Sequence, residues 1–445
     1  MPDQNACRIM LVTNRIRTLS SWGIPALYAA AAIALGMTLP RLETRYFSDL
    51  VSPISTSAAT AVYASIASGM ISLTGIVFSL AFVMIQFSAT AYSPRIVWWM
   101  ARDPVMSHGL GTFIATFLYA IAALTGVDRN SSGKVPFLSL WLVVVLLAAS
   151  VAMFVALVQR IQRLQVNQML VFVGNHGRKV VEATYPPLGA PSNERETTPH
   201  DSTTPTQILV HHGNPLYVQV IHVDTLVNLA SASDGVIEMI ASVGDTVVEM
   251  TRLLQVYGAH VKIDERKLLN AVELGEERTF EQDPKYAIRI LVDIAIRALS
   301  AAINDPTTAV QSLDQIQDLL LRLGMRRLEI GTYPDRAGNT RLLVPFLRWD
   351  DLLCLAFDEI CAYGAGSIQV MRRMNALLAD LKIALPEERQ AGLTSWQARV
   401  KATILSSYRT NEERAEAFKE DRQGLGAPRQ PRTLFAVDPK LNNPT

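Results

Sequence analysis

Four long apolar stretches dominate the first part of the chain, and short charged segments separate them. The stretches cover residues 24–40, 56–88, 109–127 and 135–158. About 20 apolar residues in a helix cross the ~30 Å hydrocarbon core of a bilayer, so this pattern predicts four transmembrane helices. A signal peptide begins in a similar way, but no small-residue cleavage site precedes Arg41 and more apolar stretches follow, which favours an uncleaved first helix.

The second apolar stretch is longer than a membrane span requires. Its 33 uncharged residues would extend roughly 50 Å as a helix, well beyond the ~30 Å hydrocarbon core. The stretch either forms one tilted, projecting helix or breaks near Gly69 or Gly75. We predict the long projecting helix, because two spans and a turn would need more residues.

Small and hydroxylated residues recur on one face of this second helix, at alternating spacings of three and four. We call this set the small-residue stripe; its members are Ala58, Ala61, Ser65, Ser68, Ser72, Gly75 and Ser79, with Phe82 and Gln86 continuing it. One interpretation is a packing seam, since small residues let membrane helices approach closely. The other is a water-lined pore between several copies of the helix, with Phe82 or Phe78 as an apolar constriction.

Charge divides the chain at about residue 158. Of the 41 Lys and Arg residues, 9 lie in residues 1–158, and of the 40 Asp and Glu residues, 5 do. The rest of the chain carries the share of charge that is typical of a soluble domain. A membrane region therefore precedes a water-soluble region.

The basic residues between the spans predict the orientation, because cytoplasmic loops carry an excess of Lys and Arg. With a cytoplasmic N-terminus, seven lie on the inner side (Arg8, Arg15, Arg17, Arg95, Arg102, Arg160 and Arg163) and four on the outer side (Arg41, Arg45, Arg129 and Lys134). We therefore predict a multi-pass protein of the bacterial inner membrane with both termini cytoplasmic.

The sequence pattern of the soluble region predicts an α+β fold that is divided into several segments. A juxtamembrane helix and a flexible loop occupy residues 159–206, and short β-rich runs within residues 207–264 predict a small β-barrel-like module. Helical periodicity predicts a helical module over residues 265–408, and the charged, proline-rich residues 409–445 predict a disordered tail.

Two matching helix starts stand out in the helical module, Asp283-Pro284 and Asp305-Pro306. Aspartate accepts from free backbone N–H groups, and proline suits the first helical position.

A cytoplasmic corner joins these two helices. It consists of Arg289, Asp293 and Arg297, spaced for an alternating chain of ion pairs, and of Asn304 and Asp305. Asn304 and Asp305 either bind an anion or a partner backbone, or they simply form the bend and cap the second helix.

The sequence offers no recognisable catalytic or metal-binding chemistry. It has no Gly-rich phosphate loop, no G-x-S-x-G, no H-E-x-x-H and no cysteines at metal-ligand spacing. No cluster of Lys and Arg indicates nucleic-acid binding. We therefore expect no enzyme activity, no cofactor, no metal and no nucleic-acid partner.

Two segments resemble a bacterial family of predicted membrane proteins, domain of unknown function 2254. They are residues 71–97 and residues 278–314, and the run ALSAAINDPTTA at residues 298–309 is the most specific part. The resemblance extends from the first span to about residue 400. It implies four N-terminal spans and a cytoplasmic C-terminal region, and it implies no established activity. Ala301 replaces the proline usual in this family.

Two functions follow from these patterns. The first is an oligomeric channel or transport protein with the second helix at its axis and the soluble region assembling or gating it. Its partners would be the lipid bilayer, further copies of the chain and a small ion. The second is a membrane-anchored scaffold or sensor whose soluble region binds a cytoplasmic protein or ligand.

Overall fold

The computed structural model describes residues 23–47, 53–91, 104–127, 135–162, 166–189 and 204–426. The chain divides into two compact units, Met1–Gln165 and Val166–Thr445. The division lies close to the change in charge at residue 158. It assigns the juxtamembrane helix to the second unit.

Within the described residues, the first unit contains four helices that are long and apolar enough to cross a membrane. They are α1 (Gly23–Tyr46), α2 (Thr56–Ala91), α3 (Pro104–Val127) and α4 (Phe137–Gln162). The four predicted spans are therefore confirmed as apolar helices.

The second helix, α2, is continuous over 36 residues and contains both Gly69 and Gly75. At 1.5 Å per residue it is about 54 Å long, which exceeds the ~30 Å hydrocarbon core. The prediction of one long helix is confirmed.

Helix α3 is the centre of the first unit and packs against the other three helices. Phe113, Tyr119 and Ala120 on α3 are fully buried. The contact with α1 is close, because a Cβ atom on Gly36 would lie 2.6 Å from the Cβ of Ala122. Small residues thus bring α1 and α3 together, as is usual between membrane helices.

The second unit is an α+β assembly. Its described helices are α5 (Val166–Thr184), α6 (Val223–Ala232), α7 (Glu265–Leu269), α8 (Pro284–Ala298), α9 (Pro306–Gly324), α10 (Trp349–Gly364), α11 (Ile368–Ala384), α12 (Gln390–Ser407) and α13 (Asn411–Ala417). Its described strands are β1 (Gln207–Val210), β2 (Leu216–Ile221), β3 (Val236–Met239), β4 (Thr246–Val247), β5 (Arg252–Tyr257), β6 (Val272–Gly275), β7 (Thr332–Pro334) and β8 (Thr340–Leu343).

The strands form two sheets, and the predicted barrel-like module is not confirmed. One sheet has the order β1-β5-β3-β8-β7 and the other the order β4-β2-β6. Strand β8 comes from the predicted helical module, yet it pairs in parallel with β3, with Ile237 opposite Leu342. The segments 207–264 and 265–408 therefore share one sheet and are not separate modules.

The two Asp-Pro helices begin where the sequence predicts. Asp283 accepts a hydrogen bond from the N–H of Tyr286 at 3.2 Å, and Asp305 accepts one from the N–H of Thr308 at 3.2 Å. Both helices turn an apolar face into the core, and Leu291 on α8 and Leu313 on α9 are fully buried.

The predicted disordered tail differs from the structure over residues 409–426. Thr410 and Glu413 form a capping box that starts α13. Arg422 then donates two hydrogen bonds to Asp380 of α11, at 2.8 and 2.5 Å. Local capping and ion pairs thus order a segment whose apolar content is low; residues 427–445 of the predicted tail lie outside the described residues.

Gly244 lies at a close contact between the loop before β4 and the start of α8. Its φ of +88° is in the left-handed region, and a Cβ atom there would meet Asp283 and the Arg278 guanidinium. Arg278 and Asp283 are themselves paired through two hydrogen bonds of 2.5 and 3.1 Å. Only glycine fits this position without displacing that pair.

We predict that Gly244→Ala destabilises the second unit by about 2–4 kcal/mol, the sum of backbone strain and displacement of the ion pair. Gly258→Ala is the control, because Gly258 has a φ of +67° but nothing within 4 Å of its Cβ position. The control should cost about 1 kcal/mol. Urea unfolding followed by circular dichroism measures both, and equal losses would show that the contact is unimportant.

Candidate functional site

The small-residue stripe lies on the face of α2 that points away from the other described helices of the first unit. The residues of α2 that are buried in the bundle are Ala59, Tyr63, Ile66, Ala67, Met70 and Val77. All seven stripe residues predicted as a site are exposed: Ser65, Ser68, Ser72, Gly75, Ser79, Phe82 and Gln86. At 100° per residue, the two sets lie on opposite sides of the helix. Among the residues of the first unit that the structure describes, no helix covers the stripe.

The stripe combines small side chains with one large apolar group. A Cβ atom at Gly75 would meet nothing within 4 Å, while the Phe82 side chain is 67% exposed. The Ser72 hydroxyl donates to the carbonyl of Ser68 at 3.3 Å. Such a bond satisfies the donor within its own helix and leaves oxygen lone pairs available to a neighbour or to water.

The corner between α8 and α9, which the sequence predicts to be cytoplasmic, contains an ion-pair cluster that the sequence predicted in part. Arg289 contacts Asp293 at 2.5 Å, as the spacing on α8 indicates. Arg289 also donates two hydrogen bonds to Glu359 of α10, at 2.5 and 2.8 Å. Glu359 was not among the predicted residues, because it lies 70 positions away in the sequence.

The interactions in this cluster favour the charged forms of Arg289 and Glu359. The hydrogen bonds from Arg289 lower the pKa of the Glu359 carboxyl below its ordinary value, although partial burial acts in the other direction. The same hydrogen bonds raise the pKa of Arg289. The cluster links α8 to α10, which pack against each other. Arg297, the third charged residue predicted on α8, is half-buried.

Hydrogen bonds among its own polar groups stabilise the bend between α8 and α9. Asn304 has a φ of +49°, in the left-handed region that asparagine tolerates. Asp305 accepts from the Thr308 hydroxyl at 2.6 Å as well as from its N–H, and so caps α9. These contacts match the interpretation of the corner as a helix cap.

The sequence analysis missed a buried polar group in the first unit. Glu43, in the last turn of α1, is 2% exposed. It accepts hydrogen bonds from the N–H groups of Leu138 and Ser139, at 2.6 and 3.1 Å, at the start of α4. In the sequence, Glu43 follows Pro40 and Arg41 and resembles a loop residue, so only its partner on α4 reveals its burial.

A second polar contact lies deeper in the bundle. The hydroxyls of Thr116 on α3 and Ser150 on α4 are both buried and lie 2.8 Å apart. Because each hydroxyl has one proton, one of them donates to the other, and the accepting hydroxyl donates to a carbonyl of its own helix, Thr112 for Thr116 or Leu146 for Ser150. We interpret this contact as structural.

Among the residues that the structure describes, no group of three or more His, Cys, Asp and Glu side chains is placed to hold a metal ion. The stripe lies in the first unit and the corner in the second.

The chain belongs to the family described as predicted membrane protein, DUF2254, which matches residues 18–380. Similar proteins include an uncharacterised protein of Mycobacterium bovis and one of Mycobacterium tuberculosis. Each is 26% identical over 370 residues, which cover 80% of this chain and 71% of the relative. No solved structure matches this chain. The family assignment confirms the resemblance and the membrane class, and leaves the activity open.

We predict that Glu359→Gln lowers the stability of the second unit by up to about 1 kcal/mol at neutral pH. The estimate is small because Glu359 is 39% exposed and solvent screens the pair. The folded-state pKa of Glu359 is lowered, so the pair stabilises above the unfolded pKa of about 4.3 and its contribution disappears as the pH falls through the folded value. The difference between wild type and variant should therefore shrink in acid.

The control is the neighbouring Asp358→Asn. Asp358 pairs with Arg399, but both side chains are more than half exposed. Its substitution should change the free energy of unfolding by less than about 0.5 kcal/mol. Urea unfolding at several pH values distinguishes the two, and a pH-independent effect of Glu359→Gln would contradict the ion-pair assignment.

Proposed function

We propose that this protein is a homo-oligomeric membrane channel in which several copies of α2 surround a central axis. The small-residue stripe faces that axis, and the face with Tyr63 and Met70 packs on the rest of its own subunit. The second unit assembles or gates the ring. A small ion or small solute is the transported species.

The position of the stripe carries this proposal. Helix surfaces that face lipid need no small residues, whereas close contact between helices does. The stripe is exposed in the single chain and directly opposite the buried face of α2. Contact with other copies of α2 gives this surface a partner.

The chemistry of the stripe suggests how such a channel selects. Ser65, Ser68, Ser72 and Ser79 offer hydroxyls at successive turns, which can replace part of the hydration of a passing ion. Phe82 adds an apolar ring that can close a pore by excluding water. The seven site residues carry no charge, so selection would depend on hydroxyls and pore width.

The proposed location is the bacterial inner membrane, with both termini cytoplasmic. The excess of Arg and Lys on one side of the four helices supports this orientation. The two relatives from mycobacteria support a bacterial source.

A scaffold or sensor is the alternative. One observation favours it: the bend between α8 and α9 exposes Ala301, Ala302 and Ile303, and Ile303 is 45% exposed. An exposed apolar residue in the most family-specific segment could contact a cytoplasmic protein. A monomer in the membrane would favour this alternative over the channel.

We predict that the purified protein in nanodiscs has the mass of several subunits and passes small ions across liposomes. Ser72→Leu should reduce the mass to that of a smaller assembly or block the flux, because leucine fills the axis. Native mass measurement and liposome flux test this prediction.

Two matched variants show whether an effect of Ser72→Leu comes from its place in the stripe and from the loss of its hydroxyl. Ile71→Leu changes an exposed residue beside the stripe at constant volume and should leave mass and flux unchanged. Ser72→Ala keeps the size and removes the hydroxyl, so it should keep the oligomer and lower the flux severalfold. A monomer, or wild-type flux in Ser72→Leu, would contradict the proposal.

A further inference from the structure

The segment that follows α12 folds back onto α11. We call residues 409–426 the strap; it consists of α13 and the turn after it. The capping box at Thr410 starts α13. In the turn, the Asp421 carboxylate accepts from the N–H groups of Gln423 and Gly426, at 2.9 and 2.6 Å. Hydrogen bonds within the strap therefore give it a shape of its own.

Two polar side chains of α11 hold the C-terminal end of α13. Arg372 donates to the carbonyl of Glu416 at 2.8 Å and to its carboxylate, and also to the carbonyl of Gly424 at 3.4 Å. Asn375 donates to the carbonyl of Ala417 at 3.0 Å. The last carbonyls of a helix lack their usual partners within it, so side-chain donors on α11 suit this end of α13.

An ion pair fastens the strap further along α11. Asp380 is 5% exposed and accepts two hydrogen bonds from Arg422 of the strap, at 2.8 and 2.5 Å. Gln317 of α9 donates to the same carboxylate at 3.2 Å. Arg422 thus brings a positive charge to a carboxylate that is almost fully buried.

Apolar side chains of the strap contribute little to this contact. Ala417 is buried, but Phe418 is only half-buried and Leu425 is 68% exposed. The opposite side of α11 buries Leu377 and Leu381 completely. Segments with few buried apolar contacts open locally at a lower free energy than the core. The strap therefore has the character of a local opening unit, whereas the other side of α11 belongs to the core.

The strap reaches the neighbourhood of the bend between α8 and α9. Gly424 has a φ of +70°, and a Cβ atom there would lie 2.5 Å from the carbonyl oxygen of Gln369 on α11. Gln369 in turn donates to the Thr307 hydroxyl in the first turn of α9, at 3.5 Å. The side of α11 that the strap covers therefore adjoins the segment with the most family-specific run.

The covered side of α11 and its cover differ in their relation to the family. The family match ends at residue 380, so it includes Arg372, Asn375 and Asp380. The strap lies outside the match. The polar side chains therefore belong to the segment that defines the family, and the segment that covers them does not.

We propose that the strap is a reversible cover that lifts from α11 as a unit while the rest of the second unit stays folded. Opening frees Arg372, Asn375 and Asp380 for other contacts, and closing restores the ion pairs and hydrogen bonds to α13. Glu416 and Arg422 are partly exposed, so salt screens their pairs and favours opening. The opening involves contacts within the second unit and does not depend on the proposed channel.

Hydrogen–deuterium exchange of the full chain in nanodiscs, read by mass spectrometry, tests the proposal. In the wild type, the amides of α13 should exchange about tenfold faster than those in the buried parts of α11 and α12, because the strap opens without them. Raising the NaCl concentration from about 0.05 to about 1 M should speed the exchange of α13 and leave α11 and α12 unchanged. Exchange of α13 at the rate of the core, or without a response to salt, would overturn the proposal.

Arg422→Gln tests the ion pair directly. It removes the charge that pairs with Asp380 and should speed the exchange of α13 about tenfold, with α11 and α12 as in the wild type. Arg399→Gln is the control, because it breaks the exposed pair with Asp358 outside the strap and should leave α13 unchanged. An unchanged rate for α13 in Arg422→Gln, or equal acceleration of α11, α12 and α13, would overturn the proposal.

Discussion

The hydrocarbon of a bilayer offers no hydrogen-bond partners, and the first unit is organised around this constraint. Each polar group in the helices needs a partner within the protein. Thr60 and Thr74 on α2 donate to carbonyls of their own helix at 2.8 and 2.7 Å. Thr116 and Ser150 join two helices, and Glu43 uses free N–H groups at the start of α4. Hydroxyl residues can meet this requirement within their own helix, whereas Glu43 and the Thr116–Ser150 pair meet it by contact between helices.

The two faces of α2 illustrate the difference. One face packs Tyr63 and Met70 into the bundle, and the other exposes serine hydroxyls and glycine over several turns. A lipid-facing surface would be equally stable with leucine at these positions. Packing among the described helices of the first unit therefore leaves the exposed stripe unexplained, whereas Glu43 has its partners at the start of α4. The proposed pore accounts for the stripe, because other copies of α2 would cover it.

Sequence reasoning succeeded where the controlling interactions are local or depend on composition. The four spans follow from uncharged stretches, and the starts of α8 and α9 follow from Asp283 and Asp305, which cap within three residues. It failed where distant segments meet. Glu43 contacts Ser139, which lies 96 positions away in the sequence. Strand β8 lies outside residues 207–264 but pairs with β3, so the strands of those residues do not form the predicted barrel-like module on their own. The order of residues 409–426 was also missed, because it depends on the contact between Arg422 and Asp380.

Disulfide cross-linking in native membranes tests most directly whether the small-residue stripe faces other copies of the chain. Cys7, Cys354 and Cys361 are first replaced by serine, and a single cysteine is then introduced on α2. Ser72→Cys should give a disulfide-linked dimer under oxidation, whereas Met70→Cys, on the buried face two positions away, should not. Absence of the dimer with Ser72→Cys, or equal dimer with both variants, would contradict the account.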